Sequence, residues 1–376
     1  MPAGPSGTNI GGVPDRDSAS LFSWRGNPIT RRSLLAGLGA VSAFVAVDFG
    51  AVAYANDWIA TGAALTRQTF IDGFRTVYGS HPGFRRNHAK GVAVSGYFDA
   101  SGAGTEISRA AVFRAGRTAV TGRFSLAGGN PFGADNPATA RGFGLAFGLP
   151  GRQQWRTAML NTVVFPDSSP QGFYDRLLAA KVQPSTGLPD PEAMKRFYAE
   201  HPETVAATAV NKMRPPSAGF ADSTFSSLNT FYFVDGSGRR TPVRWSLVPE
   251  QAALPAGRGD NGLFDAVVRQ IRAGALRWRL LLTLGEPGDP VDDATLPWPA
   301  GRRSVDAGQL TLTAAQTETA GNARDVNFDP LVLPDGIEPS DDPLLAARSA
   351  VYAASYRART GEPKSPSAVQ VQDVTA

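Results

Sequence analysis

The chain of 376 residues contains no cysteine. That excludes disulfides, thiolate nucleophiles, cysteine-ligated zinc and iron–sulfur clusters, and it leaves oxidants no thiol to damage. Histidine is almost as scarce, with three in the whole chain. Imidazole titrates nearest neutral pH and is the default proton shuttle, so the place of each one matters. Long basic runs are also missing. The 37 Lys and Arg are scattered among 33 Asp and Glu, and despite a pI near 9.5 a nucleic-acid partner is not expected. There is no P-loop, no Gly-x-Gly-x-x-Gly after a strand and no His-Glu-x-x-His. The phosphate cradle, dinucleotide turn and helical zinc pair that those motifs build are therefore not expected.

What is abundant is Gly and Pro, 41 and 29 residues, interleaved with hydrophobic positions. That suits a turn-rich β protein better than a helical bundle. Leu65–Tyr78 carries Phe70, Phe74 and Val77 at helical spacing behind Thr66 as N-cap. Strand character follows in 91–98, 110–115, 118–126, 142–147 and 159–165. A helical insert over 170–180, 190–200 and 203–213 comes next. Strands resume at 226–234, 242–248, 277–284 and 308–313, with a helix at 263–272 among them. About eight sequential antiparallel strands close into a barrel or a sandwich. Residues 361–376 read as a loose tail.

The N-terminus stands apart. Residues 1–29 are rich in Gly, Pro and Ser and are expected to be disordered. Thr30-Arg31-Arg32-Ser33-Leu34-Leu35 is a twin-arginine pattern, followed by an apolar run to Val47 and by Ala53-Tyr54-Ala55, a small-residue cleavage site. This predicts Tat export to the periplasm or cell envelope. The alternative is an uncleaved membrane anchor through residues 34–55; Asp48 interrupts that run, which is short of the roughly 20 residues a span needs. The Tat route exports folded proteins, which suits one that receives a cofactor before leaving the cytoplasm.

Two segments carry the chemistry. Arg85-Arg86-Asn87-His88-Ala89-Lys90-Gly91 places a histidine just before a strand. Pro334-Asp335-Gly336-Ile337-Glu338-Pro339-Ser340 leads into a helix that starts around Ser340 or Asp341 ahead of Pro343. On that helix Arg348, Tyr352, Tyr356 and Arg359 fall at i, i+4, i+8 and i+11, one stripe. A phenol is a poor metal ligand until it ionises, and a guanidinium one turn away favours the phenolate. A tyrosinate binds ferric haem, and a guanidinium fork suits a carboxylate.

In their order these segments resemble haem catalases. His-Ala-Lys-Gly resembles the distal-histidine signature, Arg123-Phe124-Ser125 the catalase Arg-Phe-Ser strand, and Leu160-Asn161-Thr162-Val163-Val164-Phe165 the strand with the distal asparagine. The Pro-Asp-Gly-Ile-Glu-Pro-Ser run resembles the approach to the proximal helix. The chain is short, Asn87 replaces the usual apolar neighbour of the distal histidine, and Tyr352 is followed by Ala-Ala-Ser rather than Pro-Asp-Thr. It is accordingly identified with the small catalase-related haem peroxidases, the resemblance covering roughly residues 66–360.

The resemblance implies an α+β protein: a catalase-like eight-stranded antiparallel β-barrel with inserted and C-terminal helices, spanning residues 56–360 between an N-terminal segment 1–55 and the tail. It implies haem b, whose iron Tyr352 ligates. Arg85, Arg123 and Arg359 hold the propionates, Arg348 restrains Tyr352, and Phe165 is the aromatic above the haem. His88, Ser125 and Asn161 are the catalytic set: His88 moves the proton, Ser125 orients it and Asn161 polarises the peroxide. With no cysteine, such a haem is held without thioether bonds. The expected activity is reduction of hydrogen peroxide or organic hydroperoxides by a small-molecule electron donor, with weak catalase activity. The open alternatives are a non-catalytic haem-binding envelope protein and a haem-dependent lyase or isomerase of fatty hydroperoxides. Homo-oligomerisation is also open. His81 and His201, each before a proline, carry no expected role.

Overall fold

The computed structural model describes residues 20–24, 27–30, 65–255 and 257–374. It divides into two units, Met1–Ala64 and Leu65–Ala376. In the first, β1 (Ser20–Trp24) and β2 (Asn27–Thr30) form an antiparallel hairpin; the rest of the 1–29 stretch lies outside the described residues. The Arg31-Arg32 pair and the expected signal or anchor over 34–55 lie outside the described residues. Among the described residues no helix is long and apolar enough to cross a membrane.

The second unit opens with α1 (Arg67–Tyr78), whose Thr66 and Thr69 side chains bond each other's backbone N–H in a capping box. The strands are β3 (Gly91–Ala100), β4 (Gly116–Leu126), β5 (Arg141–Gly148), β6 (Gln154–Leu160), β7 (Phe225–Ser226), β8 (Phe231–Val234), β9 (Arg240–Pro249), β10 (Leu276–Leu284), β11 (Ser304–Gln316) and β12 (Ile337–Pro339). The helices are α2 (Pro170–Ala179), α3 (Pro191–Glu200), α4 (Pro202–Lys212), α5 (Gly262–Ala273) and α6 (Pro343–Thr360). The antiparallel order β3-β4-β5-β6-β7-β9-β10-β11 returns to β3, closing an eight-stranded barrel, while β8 and β12 extend the sheet from β9. Closure leaves the eight strands without an open edge.

Alternation along the strands decides what faces where. Phe124, Phe143, Leu145, Phe147, Trp155 and Trp278 point inward and are buried in one core. The Phe124 and Phe143 rings stack at 4.3 Å. The residues between them, Arg123 and Ser125 on β4, Gly142 and Gly144 on β5, and Ala158 and Leu160 on β6, face outward toward α1, α2 and α6.

Four expectations are corrected. The apolar stretch 110–115 is a short 3-10 turn, Ala111–Phe113, because Phe113 packs against Trp155 and Phe233 instead of joining a ladder. The strand expected at 159–165 is β6, ending at Leu160; Asn161 closes it by pairing both its N–H and its side chain with Arg141. The strand expected over 226–234 breaks into β7 and β8 where Leu228 turns to φ +66°. The tail is not loose: Val369, Val371 and Val374 join the main hydrophobic core, and Arg272 donates to the Val371 and Val374 carbonyls. Deletion of residues 366–376 is therefore expected to cost on the order of 4–5 kcal/mol, taking ~1.5 kcal/mol for each buried valine. Urea unfolding of the full and shortened chains checks it.

Candidate active site

The outward faces of β4, β5 and β6, the loop before β3 and the helices α1, α2 and α6 line a cavity of about 180 Å³. Gly142, Gly144 and Ala158 line one wall, with Gly144 paired to Ala158 across β5 and β6. A Cβ on Gly142 would stand 2.7 Å from Ser125 Oγ and 2.9 Å from His88 Nδ1. These glycines make room for packed side chains: the His88–Ser125 pair lies over Gly142 and the Phe328 ring over Gly144.

Eight of the nine residues expected from sequence border this cavity: Arg85, His88, Arg123, Ser125, Phe165, Arg348, Tyr352 and Arg359. His88 Nδ1 lies 3.1 Å from Ser125 Oγ, which sets the ring's orientation and leaves Nε2 without a protein partner among the described residues. The His88 backbone is left-handed, φ +54°, a conformation that non-glycine residues adopt only when their surroundings impose it. Here Asn87 Oδ1 accepts from the His88 N–H at 3.0 Å, and Arg123 donates to the His88 carbonyl at 2.8 Å. Gly91 completes the motif, because a Cβ there would overlap the Arg123 guanidinium.

His88 is half-buried and lines the cavity. Burial, then the charges of Arg123, Arg348 and Arg85, lower its pKa to about 3. The imidazole is therefore a neutral base across the whole neutral range.

Arg85, Arg123 and Arg359 form one buried cluster. Arg123 pairs bidentately with Glu318 at 2.8 and 3.0 Å, and Arg85 reaches the same carboxylate at 3.4 Å. Arg85 also donates to the Ala323 and Val326 carbonyls, and Arg359 to those of Arg324 and Val326. Burial raises the Glu318 carboxyl, but Arg123, Arg85 and Arg324 outweigh it and bring it to about 2. Burial, with repulsion from Arg123 and Arg359, drives Arg85 well below the ordinary arginine value; burial and Arg123 bring Arg359 to about 10. Three guanidiniums against one carboxylate leave a buried cationic surplus. Two propionates would neutralise it.

On α6, Arg348, Tyr352, Tyr356 and Arg359 all border the cavity, as the stripe predicts. The N-cap is Asp342, one residue past the expected start. Tyr352 packs against the cluster of Ala93, Ala323 and Phe328, and its hydroxyl has no protein hydrogen bond among the described residues. An unpartnered phenol at a cationic cavity fits a haem with tyrosine as its iron ligand. One expectation is not met. Arg348 donates to Asn229 Oδ1 and, at 2.9 Å, to the Ala158 carbonyl, and makes no hydrogen bond to Tyr352. Asn229 in turn donates to the N-cap Asp342 at 2.7 Å, so Arg348 is anchored across the helix entrance.

Asn161 is the residue the structure does not bring to the site. Its Oδ1 accepts from the Arg141 N–H at 2.8 Å, its Nδ2 is buried without a partner, and it borders a second, neighbouring cavity. Sequence reasoning missed Glu318 and Phe173, and read Asn87 only as a departure from the catalase motif. Glu318 is an acid in a polar segment with no motif around it, and Phe173, which stacks on Phe165 at 6.0 Å, lies in a stretch read only for its helical period.

The closed barrel and the His88–Ser125, Tyr352 and arginine constellation together define an oxidoreductase of the catalase type. Comparison with known proteins agrees. The family model described as catalase matches residues 69–256. Over 308 residues the chain is 39% identical to a catalase-related peroxidase of Synechococcus elongatus, covering 80% of this chain and 90% of that one. A catalase-related peroxidase of Mycolicibacterium paratuberculosis is 30% identical over 304 residues, 79% of this chain and 96% of that one. In structure, catalase A from Saccharomyces cerevisiae matches with a TM-score of 0.68 at 22% identity, over 81% of this chain and 67% of that one. This chain belongs to the catalase family and is an oxidoreductase acting on peroxide.

The lowered pKa of His88 has a consequence for stability. Unfolded, the imidazole takes a proton near pH 6.5; folded, only near pH 3. Between these values unfolding takes up a proton, so stability present above pH 6.5 falls by at most about 1.4 kcal/mol per pH unit as the pH drops. Urea midpoints of the haem-free protein between pH 6.5 and 3.5 should show this slope, and His88→Gln should flatten it.

Proposed function

We propose that this protein is an exported haem b peroxidase that reduces hydrogen peroxide or organic hydroperoxides, with weak catalase activity. One observation carries the reading: a neutral imidazole held by Ser125, an unpartnered phenol and a buried cationic surplus all border one cavity. When bound, the haem supplies the redox chemistry, giving electrons to the peroxide O–O bond and recovering them from a donor. Tyr352 would hold the iron, and Arg85, Arg123 and Arg359 the propionates.

The remaining work belongs to side chains of this chain. His88, neutral and free at Nε2, accepts the peroxide proton and returns it to the departing oxygen, so that water or an alcohol leaves. Ser125 keeps the ring at one orientation through the transfer. Phe70, Phe74, Phe165 and Phe173 give the cavity an apolar side, which supports use of organic hydroperoxides alongside hydrogen peroxide.

Two experiments test this reading. The purified, haem-loaded protein should show a ferric tyrosinate absorption spectrum that Tyr352→Phe abolishes, while His88→Ala should keep the haem and lose peroxide turnover at least 100-fold. A protein that takes up no haem would refute the assignment. For export, replacing Arg31 and Arg32 by lysine should leave the protein in the cytoplasm, as followed by cell fractionation. Wild-type protein confined to the cytoplasm would refute the Tat route.

A further inference from the structure

The site lacks the amide that sequence comparison led us to expect from Asn161, and another asparagine occupies the place where one is useful. Asn87 immediately precedes His88 and borders the same cavity. Its Oδ1 accepts two backbone N–H groups, from His88 at 3.0 Å and from Gly128 at 2.9 Å. Both partners are donors, so the atom that meets them must be the oxygen, and the amide's orientation is settled. Nδ2 is left with two N–H groups and no protein acceptor among the described residues. Asn161 is held differently: its oxygen serves the Arg141 N–H and its side chain borders the second cavity.

We propose that Asn87 supplies the amide N–H that binds and polarises peroxide beside His88, replacing Asn161 in that role. The same side chain then does two things. Through Oδ1 it ties the loop before β3 to Gly128 and holds His88 in its left-handed backbone conformation. Through Nδ2 it offers a donor to a peroxide oxygen while the imidazole next to it takes the proton. An apolar residue at this position could do neither.

The inference rests on the peroxidase reading above, and the test separates the two. Asn87→Asp and Asn161→Asp are matched variants: each keeps an oxygen for the backbone N–H it serves and loses the amide donor. Asn87→Ser is a neutral third variant whose hydroxyl can still accept from the His88 N–H. Each full-length variant is loaded with haem and its haem content measured. The rate constant for reaction with hydrogen peroxide is then followed by stopped flow, and fluoride affinity by titration, since bound fluoride accepts a hydrogen bond from the same donor. The expected result is a tenfold or greater loss of rate in both Asn87 variants, weaker fluoride binding in Asn87→Ser, and a smaller loss in Asn161→Asp. A rate within threefold of wild type in either haem-loaded Asn87 variant overturns the proposal, as does a larger loss in Asn161→Asp. A wild-type protein that takes up haem without reacting with peroxide overturns the peroxidase reading itself.

Discussion

The rest of the site depends on a surplus of buried positive charge. Arg85, Arg123 and Arg359 sit together behind the barrel wall with Glu318 as their nearby carboxylate. Burying unpaired charge is costly unless hydrogen bonds and counter-charge compensate. Backbone carbonyls of His88, Ala89, Ala323, Arg324 and Val326 supply part of that compensation. The remainder makes the cavity electrostatically suited to a dianionic ligand, while burial, with the charges of Arg123, Arg348 and Arg85, keeps His88 neutral. One cluster therefore serves cofactor binding and base strength together.

The barrel supplies the rigidity this requires. Arg123 and Ser125 are two residues apart on β4, so they share the outer face while Phe124 between them enters the core. Each ring buried inside fixes the side chains outside. Small residues on the outer face are part of the same arrangement. Gly91 lets the Arg123 side chain cross β3, and Gly142 leaves space for the His88–Ser125 pair. The His-Ala-Lys-Gly motif is thus steric as well as chemical. Its lysine, buried against Asp135 and the Gly133 and Asp260 carbonyls, ties the β4–β5 connection to the region that opens α5.

Much of this was legible in the chain. The period-two runs of β3, β4 and β5, the capped α1 and the four-residue spacing on α6 are local signals, and each emerged within about two residues. Expectations failed where a local pattern met a tertiary demand. Val112 and Phe113 read as strand but serve as packing under Trp155. The polar tail 361–376 read as loose because its three buried valines are spaced too widely to mark an element.

By itself the sequence determined the class of the protein. Its motif order, its freedom from cysteine, and the placement of His88, Ser125, Tyr352 and the arginines point to a non-covalently held haem in a catalase-type barrel. Only the tertiary structure decided which partners those residues keep. Arg348 turns to Asn229 rather than Tyr352, Glu318 arrives from 195 positions beyond Arg123, and Asn161 faces a different cavity while Asn87 faces this one. The reason is physical. Spacing along a strand or helix determines which face a side chain leaves from, but the acceptor it meets is set by how the loops between elements close, and those contacts leave no period in the sequence.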